Sequence, residues 1–469
     1  MFPGRPIIKT EFANKGIVFV GREQFIFNGI TFHDFLIDFI KSKLGYKWLR
    51  EQSLKPDANK HPILLWFAEI GNLQKSAKTN GRGLWQAPLS GSTTSLLKLA
   101  YYIYLLGNNA KIENLLLTRL RNKELFYAAL YETYVASVFL YAGYNLELED
   151  ETDSTKTHCE FTAINRKTGN RYSVEAKLRS SNVNDIKDVK ISNQLIRALK
   201  KQTDNQKIIF IDANYPLNSE KEMNTLFDNI EQQINLIECK QNQKDEAFLF
   251  ITNNPYHFRN FTPSPQSSVL IRGFRKPDFN LIFQQISLHQ MIDLRDKYQD
   301  ILDIHAAFPN TLTTPDNFNG DIVDQIYKIL PIKNKYQINN NYDITINNKN
   351  TNFTLNNYII DYINKEVFLI FKNSEGTILH IESLTDDDIK NHKDAQQKMI
   401  DAIEQKNNRN KNLLELYDWL YSVYSNTSKD KLIEFMSNVI DMDILESKTQ
   451  KELARIYCEG MAQQIYFHK

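Results

Sequence analysis

Apolar residues recur at helical spacing through Phe32–Leu44 and stop at Gly45, which predicts an amphipathic helix with a glycine end. Two denser apolar runs follow, Leu96–Leu106 closed by Gly107-Asn108 and Leu125–Ala142 closed by Gly143. The first holds a lysine and is too short to span a bilayer. The second, with its continuation to Leu146, is interrupted by Glu132 and dotted with tyrosines, so both are expected as buried helices. The stretches KTNGRG and SGSTTS read as loops. Residues 1–120 are therefore expected as a mainly helical N-terminal domain.

Beyond Leu125 the period changes. NLELED, HCEFTAINR, RYSVEAKLR, KIIFIDANYP and EAFLFITNN alternate or run apolar over strand lengths, with helices expected near Val189–Gln202 and Lys221–Ile237. Helix, three strands, helix, strand, helix, strand is an α/β order that builds a mixed central sheet, and it assigns 121–310 to one core domain. Residues 311–469 read as an α+β region. Its Asn-rich strands (YDITI, EVFLIFK, TILHIES) come first, and helices follow from Thr385, an N-cap with Asp388 three places on. The run Asp386-Asp387-Asp388 fits that helix N-terminus.

Composition narrows the chemistry. The 57 Lys+Arg against 56 Asp+Glu exclude a uniformly basic nucleic-acid coat, though not a basic face. Three distant cysteines without a CxxC pair exclude a disulfide scaffold and a Cys-rich zinc module. With no long apolar segment near the start, a cytoplasmic protein without membrane contact is expected. There is no HExxH, no GxxxxGK[ST], no GxGxxG after a strand and no GxSxG, which argues against zinc hydrolase, nucleotide-driven and serine-elbow chemistry.

The informative segment is HCEFTAINRKTGNRYSVEAKLR, residues 158–179. Lys167-Thr168-Gly169-Asn170 is a turn signal between two alternating runs, hence a β-hairpin. In its second strand Ser173, Glu175, Lys177 and Arg179 share one face. If Lys167 opposes Asn170, then Glu160 lies opposite Lys177 and Thr162 opposite Glu175. Diagonal Cβ atoms are about 7–8 Å apart, so Glu160 and Glu175 can grip one cation beside Lys177. Two carboxylates suit a hard ion such as Mg²⁺ and leave room for water and phosphate oxygens. A cross-strand Glu–Lys ion pair on a solvated face is the competing reading. Glu132 adds weight: it is the sole charged residue between Glu124 and Glu147, on a helix apolar nearly all round, where a carboxylate needs a partner. His158 neighbours the site, most simply as a surface strand residue.

This order resembles the PD-(D/E)XK nuclease superfamily: a helix with an embedded Glu, Gly143-Tyr144, a strand, an acid on the next strand, then a hydrophobic ExK strand and the helix Asn193–Gln202. The resemblance covers about residues 121–215 and implies a restriction-endonuclease-like mixed sheet flanked by helices. It also implies Mg²⁺- or Mn²⁺-dependent phosphodiester hydrolysis. By position Glu160 stands for the motif Asp, Glu175 for the second acid, Lys177 for the motif lysine and Glu132 for the helix acid. The motif departs in having Glu at the first position and Cys159 for the preceding proline, and Asp150 or Asp153 are alternative first ligands. Ala198 stands where an exonuclease-like QxxxY pattern needs Tyr.

Charge follows the same line. Eleven basic residues against four acids give +7 over Arg166–Lys207, and six acids against Lys156 give −5 over Glu147–Glu160. A basic segment beside a metal site suits a polyanionic backbone. Arg179, Gln194, Arg197 and Lys201 are the expected nucleic-acid contacts, with DNA ahead of RNA. The expected function is a metal-dependent nuclease. The alternative is an inactive DNA-binding or interaction subunit on the same fold. On the nuclease reading the flanking regions are expected to provide substrate selection or protein contacts, and a homo-oligomer or protein partner is expected to form through them.

Overall fold

A computed structural model describes residues 8–467 except 13–14, 21–22, 28–30, 80–84, 87–88, 108, 149–158, 181–182, 241–244, 263–266, 285, 313, 315–331, 334, 339, 347–348, 362–364, 374–376 and 396–412. His158, Asp150 and Asp153 lie outside the described residues. The chain forms two compact units, 1–277 with 300–392, and 278–299 with 393–469. This division follows different lines from the composition shifts at 120 and 310.

The first unit opens with an antiparallel sheet of β1 (Ile8–Phe12), β2 (Lys15–Val20) and β3 (Glu23–Phe27), which the helical expectation for 1–120 had missed. Helix α1 (Phe32–Leu44) matches its expected bounds because both ends are specified locally. Thr31 and Asp34 close a capping box, and Gly45 takes φ +90°. Helices α2 (Tyr46–Ser53) and α3 (Ile63–Ser76) and the short strands β4 (Lys78–Thr79) and β5 (Trp85–Gln86) follow.

Helix α4 (Gly91–Leu106) starts a turn and a half before the apolar run, so SGSTTS is helix rather than loop. Ser90 caps it by accepting from Thr93 N. Gly91 is required by close approach: a Cβ there would stand 2.1 Å from the Tyr256 carbonyl oxygen. Helices α5 (Ala110–Arg121) and α6 (Phe126–Tyr141) form a hairpin.

The central sheet contains β6 (Tyr144–Glu147), β7 (Phe161–Asn165), β8 (Arg171–Leu178), β9 (Gln206–Asp212), β10 (Ala247–Asn253) and β11 (Ser268–Phe274) in spatial order 11-10-9-8-7-6. Pairs 6/7, 7/8 and 10/11 are antiparallel, while 8/9 and 9/10 are parallel. Strands β9 and β10 carry unbroken apolar runs because both of their faces are covered. On one face α6 packs Phe139 against Phe161 and Phe210, and Phe210, Phe250 and Phe308 stack in near-parallel array. On the other, α7 (Ser192–Leu199) and α8 (Glu220–Lys240) bury Leu195, Leu199, Leu226 and Ile230 against Ile209, Ile211, Leu249 and Ile251. The fold is thus mixed α/β.

The hairpin closes differently from expectation. Phe161 pairs with Val174 and Thr162 with Ser173, two residues away from the register that set Thr162 opposite Glu175. The two-residue turn is really the four-residue loop Arg166–Gly169. Asn165 N donates to the Asn170 carbonyl, and Asn165 Oδ1 accepts from the amides of Lys167 and Thr168. An even shift keeps every side chain on its expected face. Gly169 sits at φ +74° with open space where a Cβ would be. Gly169→Ala is therefore expected to destabilise by about 1 kcal/mol through strain alone, read as a small drop in the urea midpoint.

The rest of this unit is an antiparallel meander, β12 (Asn341–Ile346), β13 (Lys349–Asp361), β14 (Glu366–Lys372) and β15 (Thr377–Ser383), whose buried face includes Leu355, Val367, Leu369 and Phe371. Thr385 and Asp388 form the expected capping box at the head of the next helix. The second unit is helical, with helices Leu413–Tyr424, Lys429–Met436, Met442–Ser447 and Gln450–Phe467. Among the described residues no helix is long and apolar enough to cross a membrane.

Candidate functional site

The end of β8 gathers three carboxylates and three cations into one ladder. Glu175 points into the face covered by α7 and is 1 % exposed, so the solvated-face reading of this strand does not hold. Its Oε2 accepts from Lys201 Nζ at 2.7 Å, and its Oε1 pairs with the Lys177 ammonium. Lys177 Nζ also lies 3.2 Å from Glu160 Oε1. Glu160 Oε2 is 3.3 Å from Arg119 Nη1, which donates to Glu132 Oε2 at 2.7 Å. Arg119 comes from the last turn of α5, Glu132 from the middle of α6.

The corrected register explains the convergence. Glu160 N donates to the Val174 carbonyl, one step beyond the paired residues, so Glu160 faces Glu175 rather than Lys177. Lys177 lies on the diagonal, from which its long side chain reaches both carboxylates.

Burial and charge compete at every rung. Burial, reinforced by the Glu160 charge, pushes Glu132 up to about 7 against the pull of Arg119 and Lys177. Burial also raises Glu175, with Lys177 and Lys201 opposing it. For Lys177, burial disfavours the ammonium, but Glu175 and Glu160 outweigh it and raise its pKa. A carboxyl whose folded pKa exceeds its unfolded one stabilises the protein most below the ordinary value near 4.5, and that contribution is lost as pH climbs through about 7. Glu132→Gln is therefore expected to remove a decline of roughly 2–3 kcal/mol between pH 4.5 and 7.5, read as a flatter urea-midpoint profile than wild type. An unchanged slope would refute the assignment.

The structure brings together Glu132, Glu160, Glu175, Lys177 and Lys201 from the expected set. Lys201, expected as a nucleic-acid contact, is instead tied to Glu175. Arg179 is corrected outright: it is 4 % exposed, and its guanidinium donates to the carbonyls of Ala213 and Asn214, so it fastens the ends of β8 and β9. Arg197 is exposed on α7 and Gln194 half-buried there. Arg119 was missed by sequence reading. The only hint was the short connection 122–125, which sets the end of one helix beside the start of the next.

Two carboxylates meeting at one ammonium form a donor pair suited to a hard divalent ion. Among the described residues, no group of three or more His, Cys, Asp or Glu side chains is placed to hold a metal, so Glu132 stands apart from the pair, behind Arg119. No family model, curated protein or solved structure matches the chain.

Proposed function

We propose that the chain is a metal-dependent nuclease of the restriction-endonuclease-like kind, hydrolysing phosphodiester bonds, with DNA the preferred substrate. The observation that carries this reading is the convergence of Glu160 and Glu175, from adjacent strands, on the single Lys177 ammonium at the end of β8. Glu160 and Glu175 would hold Mg²⁺ or Mn²⁺. The ion would supply Lewis acidity toward the scissile phosphate.

The chain's own residues supply the rest. Lys177, freed from part of its carboxylate contact, orients the attacking water and offsets charge growing on the phosphate oxygens. Lys201 and Arg119 hold Glu175 and Glu160 in place from opposite ends of the ladder. Exposed Lys190, Arg197 and Lys200 present positive charge for the phosphate backbone. The antiparallel 6-7-8 ribbon running into parallel 8-9-10 strands, with helices on both faces, supports the fold assignment.

A second reading has its own support. Arg119, Lys177 and Lys201 already neutralise the three carboxylates, as a structural ion ladder would. On this reading the chain is an inactive nucleic-acid-binding or interaction subunit. Supercoiled plasmid, linear duplex and single-stranded RNA, each incubated with Mg²⁺, Mn²⁺ or EDTA, separate the two. Divalent-dependent cleavage supports the nuclease; salt-sensitive binding without cleavage under every condition supports the binding subunit.

A further inference from the structure

The antiparallel meander ends on an open edge. In the spatial order 12-13-14-15, β15 pairs with β14 on one side only among the described residues. Leu379, His380 and Ile381 are all exposed, the two apolar side chains at 57 % and 49 %. Successive strand residues point to opposite faces, so β15 is uncovered on both faces as well as along its edge. Edge strands are ordinarily guarded by charge, proline or a bulge. The opposite edge, β12, exposes Asn341, Asp343 and Thr345. The seven residues of β15, TILHIES, include no Lys or Pro, and their register with β14 is unbroken.

The phase of the ladder fixes which backbone groups are free. Leu384 N donates to the Lys365 carbonyl, and the register continues from that pair through Ser383 with Glu366, Glu382 with Val367 and His380 with Leu369. Alternate pairs exchange hydrogen bonds in an antiparallel ladder. His380 and Glu382 therefore direct their backbone groups at β14, while Leu379, Ile381 and Ser383 aim theirs at the outer edge. Leu379 and Ile381 also share a face with Ile370 and Phe368, their partners on β14. The free backbone groups and the exposed apolar strip thus belong to the same residues.

We propose that a second copy of this chain adds its own β15 to this edge, antiparallel, about a two-fold axis through His380. The strand is self-complementary in that register. Leu379 opposes the partner's Ile381, and Ile381 opposes the partner's Leu379, both as hydrogen-bonded pairs. Ile378 opposes the partner's Glu382, a carboxylate that each chain already holds with Lys333 at 3.1 Å and His380 at 3.3 Å. All seven residues pair. The neighbouring registers that the free amides permit leave residues unpaired and set Ile381 against Thr377 or Leu379 against Ser383. An unrelated extended peptide would meet the same amides without the symmetric Leu379–Ile381 match. Isologous pairing occupies both edges, so assembly stops at two copies. One strand pair is a small interface, and association is expected at about 1–100 µM.

The test does not depend on the nuclease reading. It is sedimentation velocity on the full chain over about 1–100 µM, beside disulfide trapping in a Cys239→Ser background that removes the exposed native thiol. A concentration-dependent monomer–dimer equilibrium is expected. Ile381→Lys and Leu379→Lys, both at exposed positions, should each weaken it at least tenfold with an unchanged melting temperature. Residues opposed in a non-hydrogen-bonded pair have Cα atoms about 4.5 Å apart, within disulfide reach. His380→Cys should therefore give a disulfide-linked dimer with oxidised glutathione, whereas Ser383→Cys, about 20 Å from its counterpart, should not. A dimer untouched by either lysine variant, or trapped through Ser383→Cys but not His380→Cys, overturns the proposal. A chain monomeric throughout also overturns it and leaves the edge to an extended segment of another protein.

Discussion

On the nuclease reading, Glu175→Gln and Lys177→Met are each expected to lower the single-turnover rate of Mg²⁺-dependent DNA cleavage by about 10²–10⁴-fold. Gln keeps the shape of Glu175 and can still accept from Lys201, but it withdraws the negative charge that, on the nuclease reading, would let the Glu160–Glu175 pair hold a cation. Met keeps the length of Lys177 and removes the ammonium shared by the two carboxylates. DNA affinity is expected to survive both changes within a few-fold, because exposed Arg197 and its neighbours are untouched. Breaking a buried pair also weakens the fold, so melting and circular dichroism must accompany the kinetics. Arg197→Ala provides the contrast: weaker binding and a shallower salt dependence, with the rate at saturating DNA unchanged. Cleavage by folded Glu175→Gln within threefold of wild type would overturn the metal-site assignment.

What could be read in advance follows the range of the interactions involved. Helix α1 was legible because Thr31, Asp34 and Gly45 specify its ends within a few residues. The face of β8 was legible because alternation survives any even change of register. The register itself was not, since a two-residue turn and a four-residue loop differ by side-chain bonds that local propensity does not reveal. Arg179 was misread for a similar reason: a charged residue at a strand end looks like a surface contact until the carbonyls of Ala213 and Asn214 arrive from β9 and the loop beyond. Arg119 lies on a helix whose pattern declares burial or exposure, not partners. The ladder is a tertiary object: reading the sequence singled out its acids and two of its three cations, Lys177 and Lys201, but not Arg119 or the order in which they meet.

Asp300→Ala is expected to destabilise the first unit by roughly 3–5 kcal/mol, and the reason lies in that same hairpin. Asp300, in the helix Leu288–Leu312, is 7 % exposed and reaches the loop from 130 residues away in sequence. Its Oδ1 accepts from Asn165 Nδ2, and its Oδ2 from Thr168 Oγ1, Asn170 Nδ2 and the Tyr172 hydroxyl. Thr168 and Asn170 are exposed and can turn to water when the carboxylate is lost. Asn165 and Tyr172 are 4 % and 6 % exposed and cannot, so two buried donors are stranded, each costing about 1–3 kcal/mol. Asp300→Asn retains one acceptor oxygen, and its amide can donate to the two hydroxyls, so it should cost only about 1–2 kcal/mol. Urea unfolding followed by hydrogen exchange at the hairpin amides should rank wild type, Asn, Ala in falling protection. The loop sets the register that turns Glu175 toward Glu160, so on the nuclease reading the Ala variant should also lose cleavage activity at temperatures where it is still folded. An Ala variant within 1 kcal/mol of wild type would mean that the loop closes without Asp300 and that Asn165 and Gly169 suffice to align the two carboxylates.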